Sequence, residues 1–413
     1  MNPEKPYPRA DGRSYVVDLA AGANGDANGQ AYRDFAHTDR LDNFTVMEVT
    51  VKSRCHGHHL EGLTYPITPI GMHYLLIHYD IPEIDEATYR VRVEGLVKNK
   101  LSLDMKNIRK RPKVTMPATM ECAGSGRIHQ RYRLWPHVPW NYDAIGTAEW
   151  TGTPLRAVLQ EAGLQDDAVE ILFTGRDKGI QGQQVQYFQR SLSIEQAMNE
   201  DVILAYEING LPLPPQHGFP LRLIVPGWLG MTNVKWLDSI EATSTKLTDR
   251  QMKWYSYATD DNDPNRIPCT LQQVRALMIP PGVPDFFTRI HYLEETSAVE
   301  LRGRAWAGGI PIRSVEVSTD GGSTWAAAKL DAPIGKYAWV GWSFTWENVT
   351  PGKYTLRVRA TDAVGNVQKN DDSAHDYYAM DVTKPQYVDV VVLPKGSLEP
   401  LAHVDVPIQY PTF

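Results

Sequence analysis

Between residues 298 and 362 the chain reads AVELRGRAWA (298–307), IRSVEVSTD (312–320), GWSFTWENV (341–349) and YTLRVRATD (354–362). Each run alternates apolar with polar residues, the period-two pattern of a half-buried strand. DGG at 320–322 and PGK at 351–353 supply turns, and no helical periodicity interrupts the series. Short strands in succession, separated by turn signals, predict an antiparallel β-sandwich. The sandwich is expected to occupy residues 244–385, after a polar, turn-rich lead-in that begins near TSTKLTDRQMKWYSY. Residues 386–413 are read as a C-terminal tail, and the stretch from Lys369 onward, longer than such a domain requires, as one that wraps a neighbour.

The preceding part obeys a different grammar. YRVRVEGLV (89–97) alternates as a strand does, while TPLRAVLQEAGL (153–164) opens on Thr-Pro, sets Leu155, Val158 and Leu159 on one helical face, and stops at Gly163. DVILAYEING (201–210) and LRLIVPG (221–227) are apolar, β-branched runs bounded by turn residues. Residues 44–243 therefore read as a mixed α/β domain, and the whole chain as α+β. Residues 1–43, rich in Gly, Ala, Asn and Asp, carry neither period and read as an N-terminal arm.

A chain of 413 residues has room for two or three domains. Its 42 Lys+Arg against 49 Asp+Glu give a net charge of -7, which argues against a general nucleic-acid binder. No apolar run reaches the roughly eighteen residues of a membrane helix. The expectation is a soluble protein without a membrane partner, periplasmic if it is bacterial and an export signal has been removed. Three cysteines, Cys55, Cys122 and Cys269, cannot form a disulfide framework, so each thiol is read separately.

Chemistry concentrates at MECAGSGR (120–127). An apolar lead-in ends at Cys122, and Ala123, Gly124, Ser125 and Gly126 keep bulky groups away from the thiol. Arg127 adds a planar positive fork suited to an oxyanion. A thiolate ligand for a soft metal centre fits this setting, and so does a structural cysteine in a strand-to-loop turn. A cysteine hydrolase would need a His brought to the thiol, which 12 histidines make uninformative. RCHGHH (54–59) sets Cys55, His56, His58 and His59 close together, yet no second cluster with zinc-ligand spacing complements it. It reads as a polar loop near the mouth of a pocket.

ECAGSGR, then VPWNYDAIGTAEWTGTPLRAVL (138–159), LAYEINGLPLPPQHGFPLRLIVPG (204–227) and VKWL (234–237) together resemble the sulfite oxidase family of molybdenum enzymes, in that order. VEVSTDGGSTW (315–325) and LRVRATDAVGNVQ (356–368) are similar to the family's immunoglobulin-like dimerisation domain. The resemblance implies a molybdenum–molybdopterin cofactor, one pterin per chain, with Cys122 as the metal's thiolate. It implies that His78, Asp177, Ser191, His217, Arg222, Asn233, Val234 and Lys235 hold the pterin and its phosphate. Arg127 and Tyr255 are implied at the catalytic centre, Tyr255 within the aromatic cluster Trp254, Tyr255 and Tyr257. It further implies a homodimer, a small sulfur-containing substrate, and an external electron acceptor such as cytochrome c. No CxxCH haem motif and no GxGxxG fingerprint occur, so no haem is expected in this chain.

Two departures bear on the substrate. In LIHYDIP (76–82) Leu76 stands where sulfite oxidases place a substrate arginine, and Ile77 replaces an Asn. YAWVGW (337–342) puts Val340 where the family supplies a second arginine. Loss of two cations weakens binding of a small dianion by on the order of several kcal/mol in a dry site. The alternatives are a sulfane dehydrogenase-like or S-oxide-directed enzyme, or a catalytically silent molybdopterin-binding scaffold.

Overall fold

A computed structural model describes residues 55–129, 138, 140–181, 184–248, 252, 255–257, 263–369 and 384–398. The N-terminal arm and Trp254 lie outside the described residues.

The first half is built from β1 (Val91–Gly95), β2 (Leu101–Leu103), α1 (Met105–Arg109), β3 (Val114–Glu121), β4 (Ile145–Pro154), α2 (Leu155–Ala162), β5 (Glu170–Gln181), β6 (Gln184–Ser193), α3 (Ile194–Ala197), β7 (Ile203–Ile208), β8 (Leu211–Pro212), β9 (Arg222–Ile224) and β10 (Leu237–Thr243). These strands form two sheets. One has the order β2-β1-β10-β5-β6, and the other runs β3-β4-β7-β8 with β9 on β7. β1 and β10 pair in parallel, the remaining ladders of both sheets being antiparallel. Helix is scarcer than the α/β expectation suggests: among the described residues only α1, α2, α3 and a few 3-10 turns are helical. α2 shows why helix survives where it does. Leu155, Val158, Leu159 and Ala162 bury one face in the main core, and Gly163 closes the helix at φ +67° with its N–H on the Leu159 carbonyl.

β10 ends at Thr243, where the sequence grammar changes. After β11 (Ser256–Tyr257) and β12 (Ile267–Pro268), which pair as a two-stranded ribbon, come β13 (Arg275–Met278), β14 (Val283–Pro284), β15 (His291–Glu294), β16 (Thr296–Trp306), β17 (Ile312–Ser318), β18 (Ala326–Ala327), β19 (Lys329–Leu330), β20 (Val340–Val349), β21 (Gly352–Asp362) and β22 (Tyr387–Leu393). Sheets β13-β16-β20-β19 and β14-β15-β22-β21-β17-β18 enclose one apolar core that includes Ala276, Leu301, Val315, Val317, Trp342, Leu356, Val358 and Val390. Two expectations need correction. β15 and β22 pair in parallel, so the sandwich is not wholly antiparallel. The long excursion between these two strands supplies the crossover that a parallel pair needs. Residues 387–393, placed in the tail by sequence, lie between β15 and β21, and Val388, Val390 and Val392 point into the core.

The halves are stitched together along β3. The Thr119 N–H donates to the Tyr337 carbonyl (2.9 Å), its carbonyl accepts from Gln272 Nε2 (2.8 Å), and its hydroxyl accepts the Trp339 N–H (2.7 Å). Arg304 donates to the carbonyls of Leu63 and Thr64. Cys122 follows β3 directly, so the sandwich fixes the strand that presents it.

Candidate active site

β3 ends at Glu121, and the chain turns through Cys122–Gly126 into a 3-10 turn at Arg127–His129. The turn is tied at several points: Cys122 N–H to Ala144 O (2.9 Å), Ser125 N–H to Cys122 O (2.9 Å), and Gly126 N–H to Asn141 O (2.6 Å). Gly126 sits at φ +84°, a conformation that favours glycine. The Cys122 thiol is partly buried, with the Gly124 N–H 3.4 Å from Sγ. Burial pushes it up to about 11, while Arg127 and the Gly124 N–H pull it down. Arg127 is buried, donates from Nη1 to Val138 O (2.9 Å), and folds back over Gly124, where a Cβ would lie 2.7 Å from its Cζ. Gly124 is thus the space that lets the guanidinium lie beside the thiol. Tyr255 is held up by burial and feels Arg190, Cys122 and Arg127, which places it on the same centre.

A second group gathers behind the thiol. His217 ends the 3-10 turn Pro215–His217, and Gly218 at φ +106° reverses the chain toward β9. Arg222, the first residue of β9, donates to the carbonyls of His217 (2.9 Å) and Asn233 (3.0 Å), and its guanidinium lies 4.9 Å from the Trp150 ring centre. Lys235 Nζ donates to Leu76 O (2.8 Å) and Gln216 O (3.1 Å). Burial lowers all three: His217 to about 2, Arg222 to about 10 and Lys235 to about 7. Asn233 braces the loop, accepting the Val225 N–H (2.7 Å). Val234 enters by its backbone alone, because its side chain lies in the main core. Asp177 is buried and raised to about 7, with Lys235 drawing it the other way. Cys55, itself raised by burial, feels Lys235 and in turn influences Cys122, so it lies between the two groups.

The remaining expected residues are positioned from β6. Ser191 is buried on that strand, and His78 packs edge-on to Tyr79 (4.5 Å) and 5.3 Å from Phe188 of β6. Leu76 contributes its carbonyl to Lys235, and Val340 opens β20 opposite Ala305 with its side chain in the sandwich core. The histidines of RCHGHH diverge: His58 is buried 6.5 Å from the Trp339 ring, while His56 and His59 face solvent.

Sequence reasoning missed two side chains. His73 is 1% exposed, edge-on to His217 (5.7 Å) and Trp150 (5.9 Å), with Gly146 leaving room for its ring. Arg190 stacks on Tyr255 with 4.1 Å to the ring centre. His73 falls in no motif, and Arg190 lies in YFQRSLS (187–193), a stretch that resembles sulfane dehydrogenase but that drew attention only to Ser191.

The donor set fits an anionic, polar group. Arg222 Nε, His73 Nε2, Asp177 Oδ1 and Ser191 Oγ are buried without a hydrogen-bond partner among the described residues. Such groups are rare in a closed interior, and a ligand bearing phosphate and pterin-type hydrogen-bonding edges would satisfy them. A partly open thiol beside a guanidinium, flanked by a buried His and Arg and a partly buried Lys, makes a cationic pocket of the kind an anionic redox cofactor needs. Residues 78–251 match the oxidoreductase molybdopterin binding domain and residues 283–389 the Mo-co oxidoreductase dimerisation domain. The chain is 31% identical to chicken sulfite oxidase over 73% of its own length and 68% of that protein's. It is 32% identical to human mitochondrial sulfite oxidase, again over 73% of its length but 57% of that protein's. Against tomato NADH nitrate reductase it is 32% identical over 73% of its length and 36% of the relative's. The sulfane dehydrogenase SoxCD of Paracoccus pantotrophus superposes with a TM-score of 0.70 at 25% identity, covering 79% of this chain and 82% of that one. The chain belongs to the sulfite oxidase family of molybdopterin-dependent oxidoreductases.

Proposed function

We propose that this protein oxidises sulfite or a related sulfur compound by oxygen-atom transfer and delivers the electrons to an external acceptor such as cytochrome c. The observation that carries this reading is the Arg127 guanidinium beside the Cys122 thiol, a cation poised where an oxyanion would meet a thiolate-ligated metal. When bound, the molybdenum–molybdopterin group supplies the two-electron redox chemistry that amino acids lack. Cys122 would ligate the metal. His217, Arg222 and Lys235 would neutralise the phosphate, and Asp177, Ser191, His78 and the 233–235 backbone would hold the pterin. Arg127 orients the substrate, and Tyr255 offers a phenol that burial keeps protonated. We also read the second half as an immunoglobulin-like sandwich and the assembly as a homodimer, in keeping with the dimerisation-domain match.

A second reading, a sulfane dehydrogenase-like or S-oxide-directed enzyme, is favoured by neutral Leu76 and Val340 and by the likeness to SoxCD. Protein purified from a host that makes the cofactor should hold about one molybdenum per chain and reduce ferricyanide with one of sulfite, thiosulfate or a thioether. A Cys122→Ala variant should fold normally and lose turnover. A molybdenum-loaded protein inactive with every sulfur compound would refute both readings and leave a silent scaffold.

A further inference from the structure

The motifs supply one cation beside the thiol, and the structure holds a second against Tyr255. Arg190 is only 3% exposed. Its guanidinium carbon lies 4.1 Å from the Tyr255 ring centre and 5.6 Å from that of Phe188, and Nη1 is 3.2 Å from Met252 Sδ. Tyr255 therefore stands within the field of both Arg190 and Arg127, the latter beside the Cys122 thiol. Residues 188 and 190 share one face of β6 by strand alternation, and Phe188 of that face packs against His78. Aromatic faces can hold a guanidinium desolvated, and in a low-dielectric setting its field toward an anion strengthens.

We propose that Arg190 is a specificity-determining residue. It acts with Arg127 across Tyr255 to select an anionic sulfur substrate of the sulfite or thiosulfate class, and it provides the charge that Leu76 and Val340 do not. Arginine suits this role because its planar fork can engage two oxygens of an oxyanion at once.

The assignment rests on the oxidase reading above, so the test separates the two. Sulfate, a product-shaped dianion, is titrated calorimetrically into molybdenum-loaded wild type, R190Q and R190K, and steady-state rates are measured with sulfite and with a neutral thioether. Arg190→Gln should weaken sulfate binding and raise KM for sulfite, each by about tenfold, with kcat changed less than about threefold and with KM for the thioether rising less than KM for sulfite. Arg190→Lys should recover part of the loss. Unchanged sulfate affinity and KM in R190Q would overturn the proposal, as would loss of molybdenum from that variant, which would mark Arg190 as structural. A wild type that turns over no sulfur compound but binds sulfate more weakly after Arg190→Gln would sink the oxidase reading and keep the pocket assignment.

Discussion

Arg275 of the sandwich strand β13 donates to Glu121, the residue before Cys122, and both side chains are 1% exposed. The second Glu121 oxygen accepts Trp306 Nε1 (2.8 Å), and Arg275 Nη1 also approaches Ser125 O (3.4 Å) on the far side of the cysteine turn. One guanidinium from the second half thus grips both ends of the Cys122 turn. Removing one partner of such a pair strands a buried charge, at a cost of about 3–5 kcal/mol. Arg275→Met should lower the unfolding free energy by that amount in denaturant melts, whereas the double change Glu121→Gln with Arg275→Met should recover part of it. If the single variant unfolds like wild type, the clamp is not stabilising.

Gly124→Ala tests the floor of the site without threatening the core. The added Cβ would lie 2.7–2.8 Å from Cζ and both terminal nitrogens of Arg127, the mobile end of a side chain that can swing away. Stability should change by less than about 1 kcal/mol, since no backbone clash is created. Catalysis should suffer more. With Arg127 displaced from the thiol, kcat/KM for an oxyanion substrate should fall at least about tenfold, and rates together with a denaturant curve on one sample check both halves of the prediction.

Acid should destabilise the cofactor-free protein through its buried imidazoles. His73 is lowered to about 3 by burial, with Arg222, His58 and His56 adding repulsion. His217 falls to about 2 through burial, with His73, Arg222, Lys235 and His56 contributing. Their unfolded values sit near 6.5, so between about pH 6.5 and pH 3 the unfolded chain binds protons that the folded chain refuses. Stability is therefore intact above pH 6.5 and drains away as pH falls, at up to about 1.4 kcal/mol per pH unit for each group. Urea midpoints at pH 7.5 and 5.5 should show the drop. His73→Phe should flatten it, and a bound anionic cofactor should also reduce it by stabilising the imidazolium forms.

Much of the site was legible because its anchors lie in short contiguous segments. Cys122 with its small neighbours, His217 and Arg222 in QHGFPLR, and Lys235 in VKWL announce themselves as polar residues embedded in glycine turns and apolar runs. The sandwich was legible for the same local reason, since the sequences of β16, β17, β20 and β21 alternate apolar with polar residues along much of their length. Pairings between distant segments were not. Nothing local in YVDVVVL says that it will lie parallel to HYLE, and nothing in VRALM says that its arginine will reach Glu121. His73, a single polar residue in an apolar run, and Arg190, between the polar Gln189 and Ser191, both read as solvent-facing, and only the tertiary fold turns these two inward.

Lys235 shows most directly that the site is built for a ligand rather than for stability. Burial lowers its ammonium to about 7, repulsion from Arg222 adds to the lowering, and Asp177 and Cys55 offset it only in part. In the cofactor-free protein the unfolded chain holds this proton up to about pH 10.4 while the folded chain releases it near 7. Stability contributed at this position is thus absent below about pH 7 and grows as pH rises toward 10. Lys235→Met should remove that dependence and leave the cofactor-free protein at pH 6.5 within about 1 kcal/mol of wild type, the freed carbonyls of Leu76 and Gln216 offsetting the relief of desolvation. With cofactor present the order reverses. A phosphate that meets a thioether in place of the Lys235 ammonium loses a charge-assisted partner, and pterin retained through gel filtration, read by fluorescence after oxidation, should fall at least about tenfold. A variant that keeps its pterin while losing the alkaline rise in stability would show that Lys235 braces the fold and leaves the phosphate to His217 and Arg222.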